Sequence, residues 1–250
     1  MKPKTTKKRL DVLLVERGLA ESRQKAQAII LAGQVLVSGQ RFTKAGAAVA
    51  ADASIEILGE AMPYVSRGGM KLEGAFADFG VEVAGKICLD VGSSTGGFTD
   101  CLLQRGATRV YAVDVNVTQL AWKLRQDARV VPVECNARYL KPADIPETVD
   151  LATLDLSFIS VRKVLPAIVP LVRPGGEFLI LVKPQFELRP QDVGKGGIVR
   201  NARLHQKSID HVTAAAQAVG LLVLGSAPSR LPGAEGNVEF FLHAKRGALG

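Results

Sequence analysis

The sequence predicts a doubly wound α/β domain that ends in an antiparallel hairpin and follows a small α+β domain. From Lys86 onward, short apolar runs alternate with amphipathic segments, which is typical of a parallel sheet with crossover helices. The last two apolar runs are joined by a Pro/Gly-rich loop instead of a helix, which indicates an antiparallel pair. The first 58 residues show helical and then two-residue periodicity. With 250 residues, 47% of them apolar, the chain can bury a sizeable core.

The N-terminal pattern predicts a minimal module of two short helices and a small β element. After a polar tail, Met1–Lys8, three leucines at helical spacing predict a first helix that ends at Gly18. Ser22 is the expected N-cap of a second helix, which stops at Gly33. Apolar and polar residues then alternate in 35–37 and again in 49–58, which predicts strands.

A linker is predicted over residues 59–65, where both periodicities break and Pro63 interrupts the chain. The sequence is therefore divided into residues 1–58, the linker 59–65 and a larger domain, 66–250. Five buried parallel strands are expected in the larger domain, followed by the two strands of the hairpin. The predicted strands are Ile87–Val91, Val110–Val115, Val130–Glu134, Leu151–Leu154, Phe178–Val182, Leu221–Leu224 and Val238–His243.

The formal charge of +8 is concentrated at the N-terminus. Residues 1–50 carry a balance of +7, and residues 51–100 a balance of −5. A basic segment can be a solvated face, a contact for acidic lipid or a contact for a polyanion. Position alone does not decide among these three interpretations.

Several classes of protein are disfavoured by what the sequence lacks. No apolar stretch approaches the length of a membrane span, and the Lys-rich N-terminus has no apolar core of a signal peptide, so a cytoplasmic protein is expected. Cys88, Cys101 and Cys135 form no C-x-x-C pair and are predicted to be buried thiols. The three histidines form no H-E-x-x-H arrangement, so no metal site is expected.

The first strand of the larger domain runs into a glycine-rich turn that contains Gly92, Gly96 and Gly97. Asp114 ends the second strand, where a carboxylate can accept hydrogen bonds from both hydroxyls of an adenosine ribose. The G-x-x-x-G-G spacing is not the dinucleotide fingerprint, and the Walker A lysine is missing, so another adenosine-containing cofactor is favoured. The alternative is that the glycines serve only a tight turn.

Asp90-Val-Gly92 together with Asp114 resembles the S-adenosylmethionine-dependent methyltransferases, whose Rossmann-like sheet has the same reversed terminal hairpin. The resemblance implies S-adenosyl-L-methionine as cofactor, with Asn136-Ala137 near the adenine and Asp155 near the methionine end. Asn136 could equally cap a turn over Ala137–Leu140. The cofactor-binding residues implied in this way are Asp90, Gly92, Ser94, Gly96, Gly97, Asp114, Asn136, Ala137 and Asp155.

Four charged residues lie at strand ends or in motifs where a solvated charge has no obvious purpose: Lys71, Asp155, Lys183 and Glu239. Their order resembles the catalytic tetrad of ribose 2′-O-methyltransferases of the FtsJ/RrmJ kind. That resemblance implies that Lys183 deprotonates or positions the target hydroxyl and that Lys71 stabilises negative charge on its oxygen. Alternatively, the lysines extend to solvent and the acids pair with Arg67 or Arg162.

The N-terminal string Arg9-Leu-Asp, Ser22-Arg23-x-x-Ala26 and Gly33-x-Val35-x-Val37-x-Gly39 resembles the S-four RNA-binding domain. The resemblance implies that the basic side chains contact RNA phosphates, whereas without it they would be ordinary solubilising residues. The RNA-binding residues expected on this basis are Arg9, Arg23, Lys25, Arg41 and Lys44.

Four further motifs, at Ser66–Leu72, Leu154–Ser160, Val182–Glu187 and Gly194–Arg200, extend the likeness over nearly the whole chain. With the N-terminal module they resemble the TlyA family of ribosomal RNA cytidine 2′-O-methyltransferases, often labelled haemolysins. The implied partner is ribosomal RNA or a ribosomal subunit. The glycine-rich basic loop Gly194–Arg200 either covers RNA or is a mobile surface loop.

Two other functions are kept as alternatives. An RNA-binding ribosome assembly factor would bind the cofactor without turning it over. A membrane-lytic protein has little support, because the sequence contains neither a spanning segment nor a strongly amphipathic basic helix.

Overall fold

The computed structural model describes residues 6–58, 63–233 and 236–247, and the chain divides into two compact units, Met1–Ala61 and Met62–Gly250. The division lies inside the predicted linker. Tyr64 is 8% exposed and packs in the core of the larger unit, so the last residues of that linker belong to the larger unit.

The smaller unit contains the two predicted helices and five short strands. These elements are β1 (Lys7–Arg9), α1 (Leu10–Glu16), α2 (Arg23–Leu31), β2 (Val35–Val37), β3 (Gln40–Phe42), β4 (Ala48–Ala50) and β5 (Ile55–Ile57). Strand β2 lies between β3 and β5 in an antiparallel sheet. Ser22 is the N-cap of α2, as predicted, and its hydroxyl accepts a hydrogen bond of 3.2 Å from the Lys25 backbone N–H.

The prediction of a polar tail up to Lys8 is wrong for its last residues. Lys7–Arg9 form β1, which pairs antiparallel with β4. The sequence of these residues has no apolar alternation that would predict a strand. The strand pairs through its backbone, and all three of its side chains face solvent. The unit's core lies between the helices and β2, and includes Leu10, Leu14, Ile30 and Val35.

The larger unit is a seven-stranded sheet covered by helices on both faces. Its elements are α3 (Arg67–Phe79), β6 (Ile87–Val91), α4 (Gly97–Gln104), β7 (Arg109–Asp114), α5 (Trp122–Arg125), β8 (Val130–Glu134), β9 (Val149–Leu154), α6 (Leu165–Ile168), β10 (Val172–Val182), α7 (Pro184–Glu187), α8 (Ala202–Ala218), β11 (Leu221–Pro228) and β12 (Phe240–Arg246). The strand order is β11-β12-β10-β9-β6-β7-β8. Strand β12 is antiparallel to both of its neighbours, and the five strands β6–β10 are parallel, which confirms the predicted fold class.

All seven predicted strands are present; the ends of β6 and β8 are as predicted, and the other five differ at one or both ends. The largest difference is β10, which begins at Val172 instead of Phe178. Pro174, Gly175 and Gly176 interrupt the apolar pattern there, but a register shift between Val172 and Glu177 accommodates them against β9. Lys71, expected after a turn, lies in the second turn of α3.

The parallel strands bring their carboxyl ends to one edge of the sheet. Val91 of β6 is in register with Val113 of β7 on one side and with Leu154 of β9 on the other. Alternate side chains of each strand serve the two cores: Ile180 packs in the core under α6 and α8, and Leu179 in the core under α3 and α4. Packing in the two cores therefore holds the strands in register, so that their carboxyl ends lie at the same edge of the sheet.

Helices α3 and α4 approach each other through glycine. A Cβ added to Gly97, the first residue of α4, would lie 2.2 Å from Ser66 Oγ and 3.0 Å from the backbone nitrogen of Gly69. No side chain fits in that space, so only glycine lets the start of α4 lie against the start of α3, the helix that carries Lys71.

We expect Gly97→Ala to lower the free energy of unfolding by about 1–3 kcal/mol, because the methyl group overpacks a contact that includes backbone atoms. Gly68→Ala is the matched control: its Cβ would meet Ser66 Oγ at 3.4 Å and Phe98 Cδ1 at 3.5 Å, and alanine favours the helix. Urea unfolding followed by circular dichroism measures both variants. Equal stabilities for the two variants would contradict the tight contact at Gly97.

Candidate active site

The turn after β6 is held against the ends of two neighbouring strands. The backbone N–H groups of Gly92 and Ser93 both donate to the carbonyl oxygen of Val113, at 2.8 and 3.0 Å. Gly92 has a φ of +87°, and a Cβ there would lie 2.4 Å from the backbone oxygen of Asp155. Gly92 is therefore required both by its conformation and by the approach of Asp155.

Asp114, at the end of β7, is oriented by the same turn. Its Oδ2 accepts a hydrogen bond of 2.9 Å from the Ser94 N–H, and its Oδ1 one of 3.1 Å from the Asn116 N–H. The carboxylate lines a cavity of about 550 Å³. This volume is in the range of small-molecule and cofactor sites.

Six of the predicted cofactor residues line this larger cavity: Gly92, Ser94, Asp114, Asn136, Ala137 and Asp155. Both sequence interpretations of Asn136 find support, because it lines the cavity and its Oδ1 also accepts a hydrogen bond of 3.1 Å from the Arg138 N–H to cap the turn Ala137–Tyr139. Cys135 also lines the cavity and is only partly buried, so the expectation of three buried thiols is wrong at this position.

A second cavity of about 270 Å³ shares three lining residues with the first, namely Gly92, Ser94 and Asp155. Lys71 and Gly97 line it as well. The Ser93 hydroxyl, which is buried at its rim, has no hydrogen-bond partner among the residues that the structure describes. A buried polar atom of this kind fits a polar ligand group.

The four predicted catalytic residues form two ion pairs. Lys71 Nζ on α3 lies 2.6 Å from Glu239 Oε2, and both side chains are buried. Lys183 Nζ, directly after β10, lies 2.5 Å from Asp155 Oδ1, directly after β9, and donates a hydrogen bond of 3.0 Å to Ser157 Oγ. Since Lys71 and Asp155 line the same cavity, the two pairs meet at one site.

These contacts contradict the alternative in which the lysines extend to solvent. Each of the two lysines is only 9% exposed. Arg162 pairs with Glu187, at 3.1 Å, and not with a member of the tetrad. A residue that sequence reasoning missed is Gly233, where a Cβ would lie 2.2 Å from Glu239 Oε1, so that glycine leaves room for the carboxylate.

Glu187 is a second residue whose role the sequence did not indicate. It is 2% exposed, and it accepts hydrogen bonds from Ser160 Oγ at 2.6 Å, the Val161 N–H at 2.8 Å and Arg162 Nε at 3.1 Å. Burial raises its pKa. Glu187, the last residue of α7, thereby ties the short helix after Lys183 to the loop after Asp155. Phe158 in that loop has a φ of +67° and is 92% exposed.

The glycine-rich loop Gly194–Arg200, for which two interpretations were open, is anchored to the segment that precedes Glu239. The side chain of Asn237 accepts a hydrogen bond of 3.0 Å from the Val199 N–H and donates one of 2.9 Å to the Gly197 carbonyl oxygen. Asn237 and Val199 are both buried. The loop is therefore tied to the segment that carries Glu239.

Two predicted cofactor residues, Asp90 and Gly96, line neither cavity. Gly96 caps α4, and a Cβ there would lie 2.2 Å from Leu124 Cδ1. Asp90 is fully buried beneath the turn, where its carboxyl accepts hydrogen bonds from Thr99 Oγ1 at 2.6 Å and Thr153 Oγ1 at 3.3 Å. Burial raises the pKa of Asp90 to about 7.

This pKa predicts a pH-dependent contribution to stability. Folded protein retains the Asp90 proton up to about pH 7, whereas the unfolded chain releases it near pH 4. Between these values the folded state binds more protons, so the free energy of unfolding falls as pH rises. Between pH 4 and 8, we expect the free energy of unfolding of Asp90→Asn to fall by about 2–4 kcal/mol less than that of the wild type, as measured by urea unfolding. Equal decreases in the two proteins would contradict the raised pKa of Asp90.

The predicted RNA-binding residues lie in the smaller unit and are all exposed. Arg9 and Arg23 hold the buried carboxylate of Asp11. Lys25 and Lys44 extend from α2 and from the loop between β3 and β4, and Arg41 lies on β3.

The parallel sheet with a reversed last strand, together with an acidic strand end beside a glycine turn, defines the class: an α/β methyltransferase. The fold is shared with the N-methyltransferase NodS of Bradyrhizobium japonicum, with a TM-score of 0.51 at 14% identity over 73% of this chain and 95% of that structure. Residues 64–246 match the FtsJ-like methyltransferase family, and residues 8–55 match the S4 domain. The chain belongs to the FtsJ-like methyltransferase family.

Similar proteins with both units carry two kinds of name. The "16S/23S rRNA (cytidine-2'-O)-methyltransferase TlyA" of Mycobacterium tuberculosis is 47% identical over 94% of this chain and 88% of its own length. "Hemolysin A" of Brachyspira hyodysenteriae is 43% identical over 94% of this chain and 98% of its own. A solved structure described as "Putative hemolysin from Streptococcus thermophilus" has a TM-score of 0.76 at 43% identity, over 97% of this chain and 90% of that one. Within the described ranges 6–58, 63–233 and 236–247, no helix is long and apolar enough to cross a membrane.

Proposed function

We propose that the chain transfers a methyl group from S-adenosyl-L-methionine to a ribose 2′-hydroxyl of cytidine in structured ribosomal RNA, in the cytoplasm. The observation that carries the proposal is the set of two lysine–carboxylate ion pairs, in which Lys71 lines the smaller cavity and Asp155 lines both cavities. The name of the relative from M. tuberculosis supports the choice of a cytidine ribose in ribosomal RNA.

The residues present fit this cofactor. Asp114 presents a carboxylate, already oriented by Ser94, that can accept both ribose hydroxyls. Asn136 and Ala137 line the same cavity, where an adenine would lie. The glycine turn and the buried Ser93 hydroxyl line the smaller cavity, where the amino-acid end would lie. When bound, the cofactor supplies a methyl group on a positively charged sulfur.

Lys183 is the residue that we assign to the target hydroxyl. A ribose hydroxyl is a poor nucleophile, so the reaction needs its oxygen in line with the methyl group and a group that takes or holds its proton. Asp155 and Ser157 fix the Lys183 ammonium group from two directions, at 2.5 and 3.0 Å. A neutral Lys183 amine would take the hydroxyl proton as the oxygen accepts the methyl group, whereas a Lys183 ammonium would hold the oxygen by a hydrogen bond while the proton leaves to solvent.

Lys71 has a complementary role. Its ammonium group lies at the wall of the smaller cavity and is held by Glu239, so its charge can stabilise negative charge on the attacking oxygen. Glu239 is almost completely buried and acts through Lys71. The exposed basic residues of the smaller unit supply affinity for RNA phosphates.

Transfer of labelled methyl groups to isolated ribosomal subunits, followed by nuclease mapping of the labelled nucleotide, tests the proposal directly. Label on a ribose is expected. Label on a base or on protein would contradict the assigned reaction. Binding of the cofactor without transfer to either subunit would favour the non-catalytic assembly factor.

We expect Lys183→Ala to reduce the turnover number at least about 100-fold while leaving cofactor affinity nearly unchanged, because Lys183 acts on the acceptor. Lys183→Arg separates two roles, since it keeps the charge beside Asp155 but cannot take a proton. Lys207→Ala, at an exposed lysine of α8, is the control. Full turnover in Lys183→Ala would exclude the assigned role, whereas activity in Lys183→Arg alone would identify positioning without proton transfer.

Asp114→Ala should weaken cofactor binding at least about tenfold, because it removes an acceptor that would hydrogen-bond two hydroxyls. Isothermal titration with S-adenosylhomocysteine measures the effect. Asp144→Ala, at an exposed acid that caps a turn and lines neither cavity, is the matched control. Unchanged affinity in Asp114→Ala would contradict the placement of the ribose.

A further inference from the structure

Asp11 is a fully buried carboxylate in a unit whose surface is strongly basic. Both of its oxygens accept hydrogen bonds. Oδ1 accepts from Arg9 Nε and from the Val12 N–H, both at 3.0 Å, and Oδ2 accepts from Arg9 Nη2, Arg23 Nε and Gln27 Nε2, each at 2.9 Å. The bidentate contact of Arg9 contributes most to lowering the pKa of Asp11 far below its usual value.

Both arginines are bound to the same oxygen atom and still face solvent. Arg9 Nη2 and Arg23 Nε each lie 2.9 Å from Oδ2, so these two nitrogens can be no farther apart than twice that distance. Their side chains are 51% and 56% exposed, whereas Asp11 is 0% exposed. The carboxylate thus lies behind two guanidinium groups that are held side by side at the surface.

The loop before β4 leaves space for this arrangement. A Cβ added to Gly46 would lie 3.3 Å from both Nη1 and Nη2 of Arg9. A larger residue would press on the guanidinium group and shift it. The carboxylate therefore holds the guanidinium group of Arg9, and glycine at position 46 leaves room for it there.

The N–H donors of Arg9 and Arg23 that do not bind Asp11 are suited to binding a phosphate. An arginine has five N–H donors, so the hydrogen bonds to Asp11 leave three on Arg9 and four on Arg23. Two guanidinium groups and one carboxylate carry a net charge of +1, which matches one phosphate of an RNA backbone. Planar guanidinium forks also match the geometry of phosphate oxygens.

We propose that Asp11 assembles Arg9 and Arg23 into one clamp for a single RNA phosphate. This inference rests on the proposed RNA-binding function and adds to it a positioning residue and a stoichiometry. Burying a carboxylate is costly unless it is fully hydrogen-bonded, and solubilising arginines would not require it. Ordering the two side chains before binding lowers the entropy that the complex would lose.

The direction in which Asp11→Asn changes the affinity for RNA tests the positioning role of Asp11. Asp11→Asn removes a negative charge from a surface that attracts RNA, so charge alone predicts tighter binding. The clamp predicts weaker binding, because an amide nitrogen cannot accept the hydrogen bonds on one side of the carboxylate. We expect about a threefold to tenfold loss of affinity for isolated ribosomal subunits, small and large titrated separately with the full chain.

Asp52→Asn is the matched control, because Asp52 is an exposed acid of the same unit whose neutralisation changes the charge equally. It should leave affinity unchanged or raise it slightly. Affinity of Asp11→Asn equal to or above that of Asp52→Asn would overturn the proposal. If the wild-type chain binds neither subunit, the RNA-binding function fails instead.

A second set of variants remains informative if Asp11→Asn does not fold. Arg9→Gln, Arg23→Gln and the double variant are compared by the slope of log affinity against log salt concentration. This slope becomes shallower by about 0.7–0.9 for each RNA phosphate that the protein no longer neutralises. One clamp predicts that the double variant differs from the wild type by one such step and that the two single effects are not additive. A difference of two steps with additive effects would show two independent phosphate sites and overturn the proposal.

Discussion

The meeting of β6 and β9 at their carboxyl ends is the constraint on which the site depends. The Asp155 N–H donates a hydrogen bond of 3.0 Å to the Val91 carbonyl oxygen, which continues the parallel ladder past the last strand residue. Gly92 follows at a point where no side chain would fit beside the Asp155 backbone. The cofactor turn and the acid that holds Lys183 are thus parts of one contact, and both cavities open from it.

The four charges form two ion pairs in which Lys71, Lys183 and Glu239 are buried and Asp155 is partly exposed, at a cost in desolvation that attraction between the partners only partly offsets. A hydrophobic replacement of similar volume could be as stable, so the pairs are better explained by what they hold in place. Lys183 is held by an ion pair with Asp155 and a hydrogen bond to Ser157, both after the neighbouring strand, and Lys71 by a carboxylate from the last segment before β12. Glu187 has a similar positioning role, since its three hydrogen bonds join α7, which follows Lys183, to the loop that follows Asp155.

Asp11 in the smaller unit repeats this principle with the opposite arrangement of charges. In the larger unit, carboxylates hold two ammonium groups, of which that of Lys71 lines the smaller cavity, whereas in the smaller unit one buried carboxylate holds two guanidinium groups at the surface. The N-terminal balance of +7 is therefore more than a sum of solvated side chains. Two of the arginines in this balance, Arg9 and Arg23, are ordered by Asp11, which contributes a negative charge to the same balance.

The sequence by itself determined the strands of the larger unit, its reversed hairpin, the glycine turn and the four charged residues, two of which directly follow strands. Hydrophobic periodicity indicates which residues face a core. The carboxyl ends of parallel strands lie at one edge of the sheet, independently of how the helices pack. The sequence did not predict β1, because backbone pairing between exposed side chains leaves no apolar pattern.

Only the tertiary structure decided which charges are partners. Lys71 and Glu239 are 168 residues apart, and an acid at a strand end can face several cations until the strand order is known. The sequence equally could not show that Asp90 lies beneath the turn while Asp114 lies in the cavity, nor that Arg9 and Arg23 share one oxygen atom. Periodicity records burial along one element, whereas these contacts depend on the packing of elements that are distant in the chain.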